Sequence, residues 1–161
     1  MLKNSFHGTP YMKRSEYELL QKSHQLPKFE DMDAVFDLGC IERPELREVR
    51  KKVEEKIELV LEILNTILQP DTNSYSDMYE CRYFSESEKE DIHHLFKQVM
   101  IIDRRLLEAE IASDEKVDAA VIREAHILYG SVKPQMLRII VKMRDAWSQA
   151  VARSPSAGYV G

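Results

Sequence analysis

A chain of 161 residues is long enough for one domain with a single core, and 43% hydrophobic with 32% charged residues is a globular composition, not a disordered one. The net charge of −5 excludes nonspecific nucleic-acid binding, whose affinity comes from Lys and Arg displacing counterions from phosphates. Cys40 and Cys81 alone exclude a disulfide framework and a cysteine metal motif.

No apolar run is long enough for a bilayer, and no charged-then-apolar N-terminal signal is present. The expectation is a cytoplasmic protein with no membrane or nucleic-acid partner.

Residues 1–13 carry Gly8 and Pro10 without periodicity and read as an irregular arm. Residues 14–26 predict a short helix with Tyr17 and Leu20 on one stripe, closed by Pro27. Residues 27–42 read as an acidic linker: Glu30, Asp31, Asp33, Asp37 and Glu42 stand there with no Lys or Arg after Lys28, and Val35, Phe36 and Leu38 would pin it down.

Residues 43–153 predict a helical bundle. Its first helix, 43–69, has Pro44 in the first turn and Leu46, Val49, Val53, Ile57, Val60, Leu64 and Ile67 on one face. The pairs Glu48 with Lys52, Arg50 with Glu54 and Lys51 with Glu55 mark the opposite side as solvated. Leu59, Leu61, Ile63 and Leu68 widen the apolar surface toward the C-terminal end, and Pro70 stops the helix.

Tyr75, Tyr79 and Tyr83 then recur every four residues, on one face of a short helix if Asp77 caps it. Ser85 or Ser87 with Glu88 or Glu90 makes a capping box for a helix at 85–112, with Ile92, Phe96, Val99, Ile102, Leu106 and Ala109 inward. Ser113 or Asp114 caps the next, 114–129, with Val117, Ala120, Val121, Ala125 and Leu128 inward. Gly130 is a stop signal and Pro134 a start signal, so a tight turn is expected before a last helix at 134–153. That helix would bury Met136, Leu137, Ile140, Met143, Trp147 and Val151, leaving 154–161 as a tail.

The predicted fold is all-α, an antiparallel four-helix bundle with an additional short N-terminal helix in one domain. A helix of 27 residues is about 40 Å long and one of 16 about 24 Å, so two helices overhang and expose apolar surface of the kind that marks interfaces.

Three constellations could carry chemistry. Glu90 and His93 have the Glu-x-x-His spacing of ferritin-like di-iron bundles, where a metal ion would bind, but a second copy is missing because Arg123 precedes His126 by three. Asp103, Arg105 and His126 fall near the edges of apolar stripes and would line a polar pocket between helices, with Tyr79 and Tyr83 in a covering segment. Gly130, Ser131 and Lys133 before a helix start would suit an anion.

No Ser–His–Asp or Cys–His set is placed together by spacing, so no catalytic residue is named. The leading expectation is a non-enzymatic, self-associating helical interaction module, a homo-oligomer joined through helical faces. The alternatives are a small-molecule or cofactor-binding bundle, an enzyme among them, using the inter-helix pocket, and a ferritin-like metal-binding bundle. No cofactor is predicted beyond a metal ion at Glu90 and His93.

Overall fold

Three long helices bury their side chains at alternating intervals of three and four residues, the spacing of left-handed supercoiled packing. The computed structural model describes residues 11–154, which are all-helical with no strand among them. The helices are α1 (Arg14–His24), α2 (Phe29–Phe36), α3 (Leu46–Leu68), α4 (Tyr75–Cys81), α5 (Glu86–Ala112) and α6 (Glu115–Arg153), with a 3-10 turn at Leu38–Cys40. Most of the expected arm and nearly all of the expected tail, residues 1–10 and 155–161, lie outside the described residues.

A stripe at this spacing runs through Leu46, Arg50, Val53, Ile57, Val60, Leu64 and Ile67 on α3, with Val49 buried beside it, and through Ile92, Leu95, Val99, Ile102, Leu106 and Ala109 on α5. On α6 it runs through Asp118, Ile122, Ala125, Val132, Met136, Ile139 and Ala146, with half-buried Tyr129 and Met143 completing the series and Ala119 and Val121 buried beside it. Because this series runs through residue 130 without a change of phase, α6 is one helix of 39 residues. The turn expected at Gly130 is absent, and the third and fourth helices of the expected bundle are a single element. Gly130 and Pro134 both stand at exposed positions off the buried stripe, so packing on that stripe outweighs their local cost.

The missing turn also moved the predicted faces. Restarting the phase at Pro134 placed Leu137, Ile140 and Val151 inward, whereas all three are exposed and Val132, Ile139 and Ala146 are buried instead. On α5, Leu95 is buried and Phe96 only half-buried.

The acidic linker is a second correction, because residues 29–36 are α2. Met32 and Phe36, one turn apart, are buried, and Glu30 and Asp31 occupy the first turn, where the helix dipole favours negative charge. Asp37 closes the helix with φ of 54°, as Gln25 closes α1 at 53°. The acidic residues therefore build a helix instead of interrupting one.

The caps of the later helices are explicit. Ser74, not Asp77, caps α4: its hydroxyl accepts from the Asp77 N–H and donates to the Asp77 carboxylate. Ser85 and Glu88 make a reciprocal box at the start of α5, with backbone N–H to side-chain distances of 2.8 and 3.2 Å. Ser113, at φ 51°, ends α5, and the Asp114 carboxylate accepts from the Lys116 N–H at 2.8 Å to open α6.

The chain divides into two compact units, and α3, α5 and α6 each contribute to both. Unit 1 comprises residues up to Leu59 with Met100–Leu128; unit 2 comprises Val60–Val99 with the chain from Tyr129 onward. In unit 1 the Tyr17 ring lies 5.5 Å from Phe29 and its hydroxyl donates to the Pro27 carbonyl at 2.7 Å, which locks α1 to α2. Burial pushes the Tyr17 phenol well above its ordinary value. Arg123 on α6 donates to the His24 carbonyl at 2.6 Å and so holds the end of α1. Among the described residues no helix is long and apolar enough to cross a membrane.

Candidate functional site

Unit 1 contains a buried charge cluster that the sequence reading placed in solvent. Arg50 is only 2% exposed because it occupies a core position of α3, one turn after Leu46 and three residues before Val53. Its guanidinium meets Asp118 on α6 (Nε to Oδ1, 2.8 Å), Glu110 on α5, and Glu54 one turn along (Nη1 to Oε2, 3.8 Å). The Arg50–Asp118 contact is at hydrogen-bond distance but poorly aligned, so the pair is held mainly by opposite charge.

Burial pushes the Asp118 and Glu54 carboxyls above their ordinary values against the pull of Arg50, while hydrogen bonding to Arg50 holds Glu110 below its own. A cavity of about 220 Å³ beside this cluster is lined by Arg47 and Arg50 against Glu45, Glu110, Glu115 and Asp118. Acid outnumbers base there, so the cavity does not favour an anion; the cluster links segments of α3, α5 and α6 through ion pairs to one buried guanidinium.

Asp103, Arg105 and His126 also lie in unit 1. Asp103 pairs with neighbouring Arg104 at 2.6 Å, and Arg105 pairs with Glu124 at 2.7 Å. None of the three lines the cavities described here.

Tyr79 and Tyr83 belong to unit 2, in an aromatic cluster that joins α4 to α6. Their hydroxyls are 2.8 Å apart, and Tyr79 also donates to the Ala146 carbonyl at 3.1 Å. The Trp147 ring lies 4.5 Å from Tyr79 and 6.2 Å from Tyr75, and its Nε1 donates to Glu80 at 2.6 Å. Tyr75 stacks on Tyr79 at 6.0 Å and is otherwise open to solvent. The one-turn spacing of the tyrosines revealed their common face; their partner on α6 had no signal in the sequence.

Two grooves flank the basic side chains of α6 in unit 2. One, of about 450 Å³, is lined by Tyr83, Leu137, Val141 and Ala146 with Arg138 and Lys142. The other, of about 360 Å³, shares Arg138 and Lys142 and adds Phe84, Ile92 and His94. Lys142 sits 5.2 Å above the Phe84 ring and pairs with Glu88 at 2.5 Å. That lysine, with the Ser85 backbone, holds the Glu88 carboxyl below its usual range.

The remaining candidates are placed as follows. Gly130, Ser131 and Lys133 lie inside α6, where backbone N–H groups serve the helix and none is offered to an anion, so the helix start on which that reading depended does not exist. Glu90 and His93 are exposed on α5, and among the described residues no group of three or more His, Cys, Asp and Glu side chains is gathered to hold a metal. The spacing that brought both to one side of a helix supplies two ligands and no third.

Comparison with known protein families, with curated proteins and with solved structures found no match to this chain. Function is therefore argued from its own surfaces.

Proposed function

We propose that this chain is a non-enzymatic helical interaction module that associates with copies of itself. The supporting observation is the amount of large apolar surface left on helix faces that face solvent. In unit 1, Leu59, Ile101, Leu107, Ile111 and Ile127 are exposed; in unit 2, Leu137, Ile140, Val141 and Val151 are. Single exposed aliphatic residues need no partner, so the support lies in those that adjoin on one helix, Ile101, Leu107 and Ile111 on α5 and Leu137, Ile140 and Val141 on α6, because apolar residues gathered in one place mark interaction surfaces.

The packing we propose for α3, α5 and α6 is an antiparallel bundle, supported by Arg50 meeting Glu110 and Asp118 in unit 1 and Lys142 meeting Glu88 in unit 2. The free thiols of Cys40 and Cys81 suit a reducing compartment, the cytoplasm. Light scattering on a size-exclusion peak tests the reading: a mass of two or more chains supports it, and a single-chain mass across the micromolar range removes it.

The grooves of unit 2 favour a second reading, a binder of small acidic amphiphiles. Apolar Leu137 and Val141 offer a surface for a hydrocarbon portion and Arg138 a cation for an acidic head, while Lys142 is held by Glu88 and Asp145 shares the lining. A screen of such molecules by the fluorescence of Trp147, the one tryptophan, tests it: a saturable response lost in Arg138→Ala supports the groove, and no response across the screen rejects it.

A further inference from the structure

We propose that the self-association runs through α5, as an antiparallel pair of α5 helices from two copies of this chain related by a two-fold axis level with Leu106. The inference rests on the self-association reading above and specifies its surface. On the face of α5 opposite the buried stripe, Ile101, Arg104, Glu108 and Ile111 follow one another at intervals of three, four and three. All four are exposed, Ile101 at 63% and Ile111 at 85%. They therefore form one seam about 15 Å long with the spacing of helix-to-helix packing.

The seam reads as its own complement. Reversing the direction of a second α5 about the level of Leu106 sets Ile101 against the partner helix's equivalent of Ile111, and Arg104 against its equivalent of Glu108. Both contacts occur twice. Each end then has an isoleucine pair and the centre has two ion pairs of opposite sign, the self-complementary arrangement a two-fold interface requires. A parallel pairing would instead set like charges side by side.

Leu107, also exposed, lies on the flank of the seam. Glu108 makes no ion pair among the described residues, and Arg104 is engaged only by its sequence neighbour Asp103, with its own side chain 64% exposed. Glu108 is therefore available across the interface, and Arg104 can reach it with the rest of its exposed guanidinium while one nitrogen stays on Asp103. All of these residues lie in unit 1, within Met100–Leu128.

The basic stretch of α6 is a poorer self-surface. Lys133, Arg138 and Arg144 are exposed there with Asp145 as the acidic neighbour, so apposing two copies of it brings like charges together.

The test is sedimentation equilibrium of the full chain and four variants, each first checked for native helix content by circular dichroism. Arg104→Glu and Glu108→Arg should each raise the dimer dissociation constant by on the order of tenfold, because each turns two attractive pairs into two repulsive ones. The double variant should return it to near the starting value, and Ile111→Asp should leave monomer.

A wild-type dimer that neither the charge changes nor Ile111→Asp alters overturns the α5 interface while leaving self-association standing. A wild-type monomer overturns both.

Discussion

Replacing Arg50 by Met removes the cation that contacts Asp118, itself 6% exposed, while Arg47, 60% exposed, still pairs with Glu110. Deleting one member of a buried ion pair costs about 3–5 kcal/mol. Glu54 and Glu110 retain more access to water, at 23% and 41% of their side chains, so the cost falls mainly on Asp118 and the lower end, about 3 kcal/mol, applies. For a chain of this length that lowers Tm by about 6–12 °C.

The pH dependence has a definite sign. Burial already raises the Asp118 carboxyl, and Arg50 opposes the rise. Without Arg50 the carboxyl moves further up, and an acid whose folded value is raised stabilises the protein at low pH and loses that contribution as pH rises through the folded value. Glu110 works in the same sense, since the wild type loses its Arg50-dependent contribution as pH falls. The deficit of Arg50→Met is therefore largest near neutrality and shrinks on acidification. Urea unfolding followed by circular dichroism at both ends of this range measures it, and adding Asp118→Leu should recover most of the loss. A deficit under about 1 kcal/mol, or one that grows on acidification, refutes the buried-pair account.

Gly130→Ala tests the continuity of α6. Gly130 has helical neighbours on both sides and open space where a Cβ would stand, so the change should raise thermal stability by about 1 kcal/mol, whereas a turn at this residue would make it destabilising. Trp147→Phe keeps most of the ring contact with Tyr79 but loses the hydrogen bond to Glu80, and should cost about 1.5–3 kcal/mol in denaturant unfolding. Glu88→Gln should weaken the protein at neutral pH and match the wild type in acid, because the lowered Glu88 carboxyl contributes above its usual range and loses that contribution as pH falls through its folded value; a difference that persists unchanged in acid would point to packing instead of charge.

The helices were legible wherever local rules and burial agree. The Ser85–Glu88 box, the Pro27 stop and the apolar face of α3 are written in adjacent residues, and the structure follows them. Gly130 and Pro134 give a strong local signal for a turn that a stripe from Asp118 to Ala146 overrides, and only a count of the three-and-four spacing across both residues would have exposed this. Arg50 misled in the same way. With Glu54 four residues on, it resembles a solvated helix pair, yet it stands in core register between Leu46 and Val53.

Its partners Glu110 and Asp118 are 60 and 68 residues away in the chain, and no spacing rule connects them. The same holds for Trp147 with Glu80 and Lys142 with Glu88. The polar contacts between helices depend on register across elements, which a single sequence does not carry. The exposed face of α5 with Ile101 and Ile111 carries no sequence signal, because two isoleucines ten residues apart with Arg104 and Glu108 between them make no apolar periodicity.

The most direct test of the account is the mass of the wild-type chain in solution, by size-exclusion chromatography with light scattering over a range of micromolar concentrations. The account predicts a mass twice that of one chain, falling toward one on dilution. A single-chain mass throughout, with Ile101 and Ile111 still open to solvent, would contradict it.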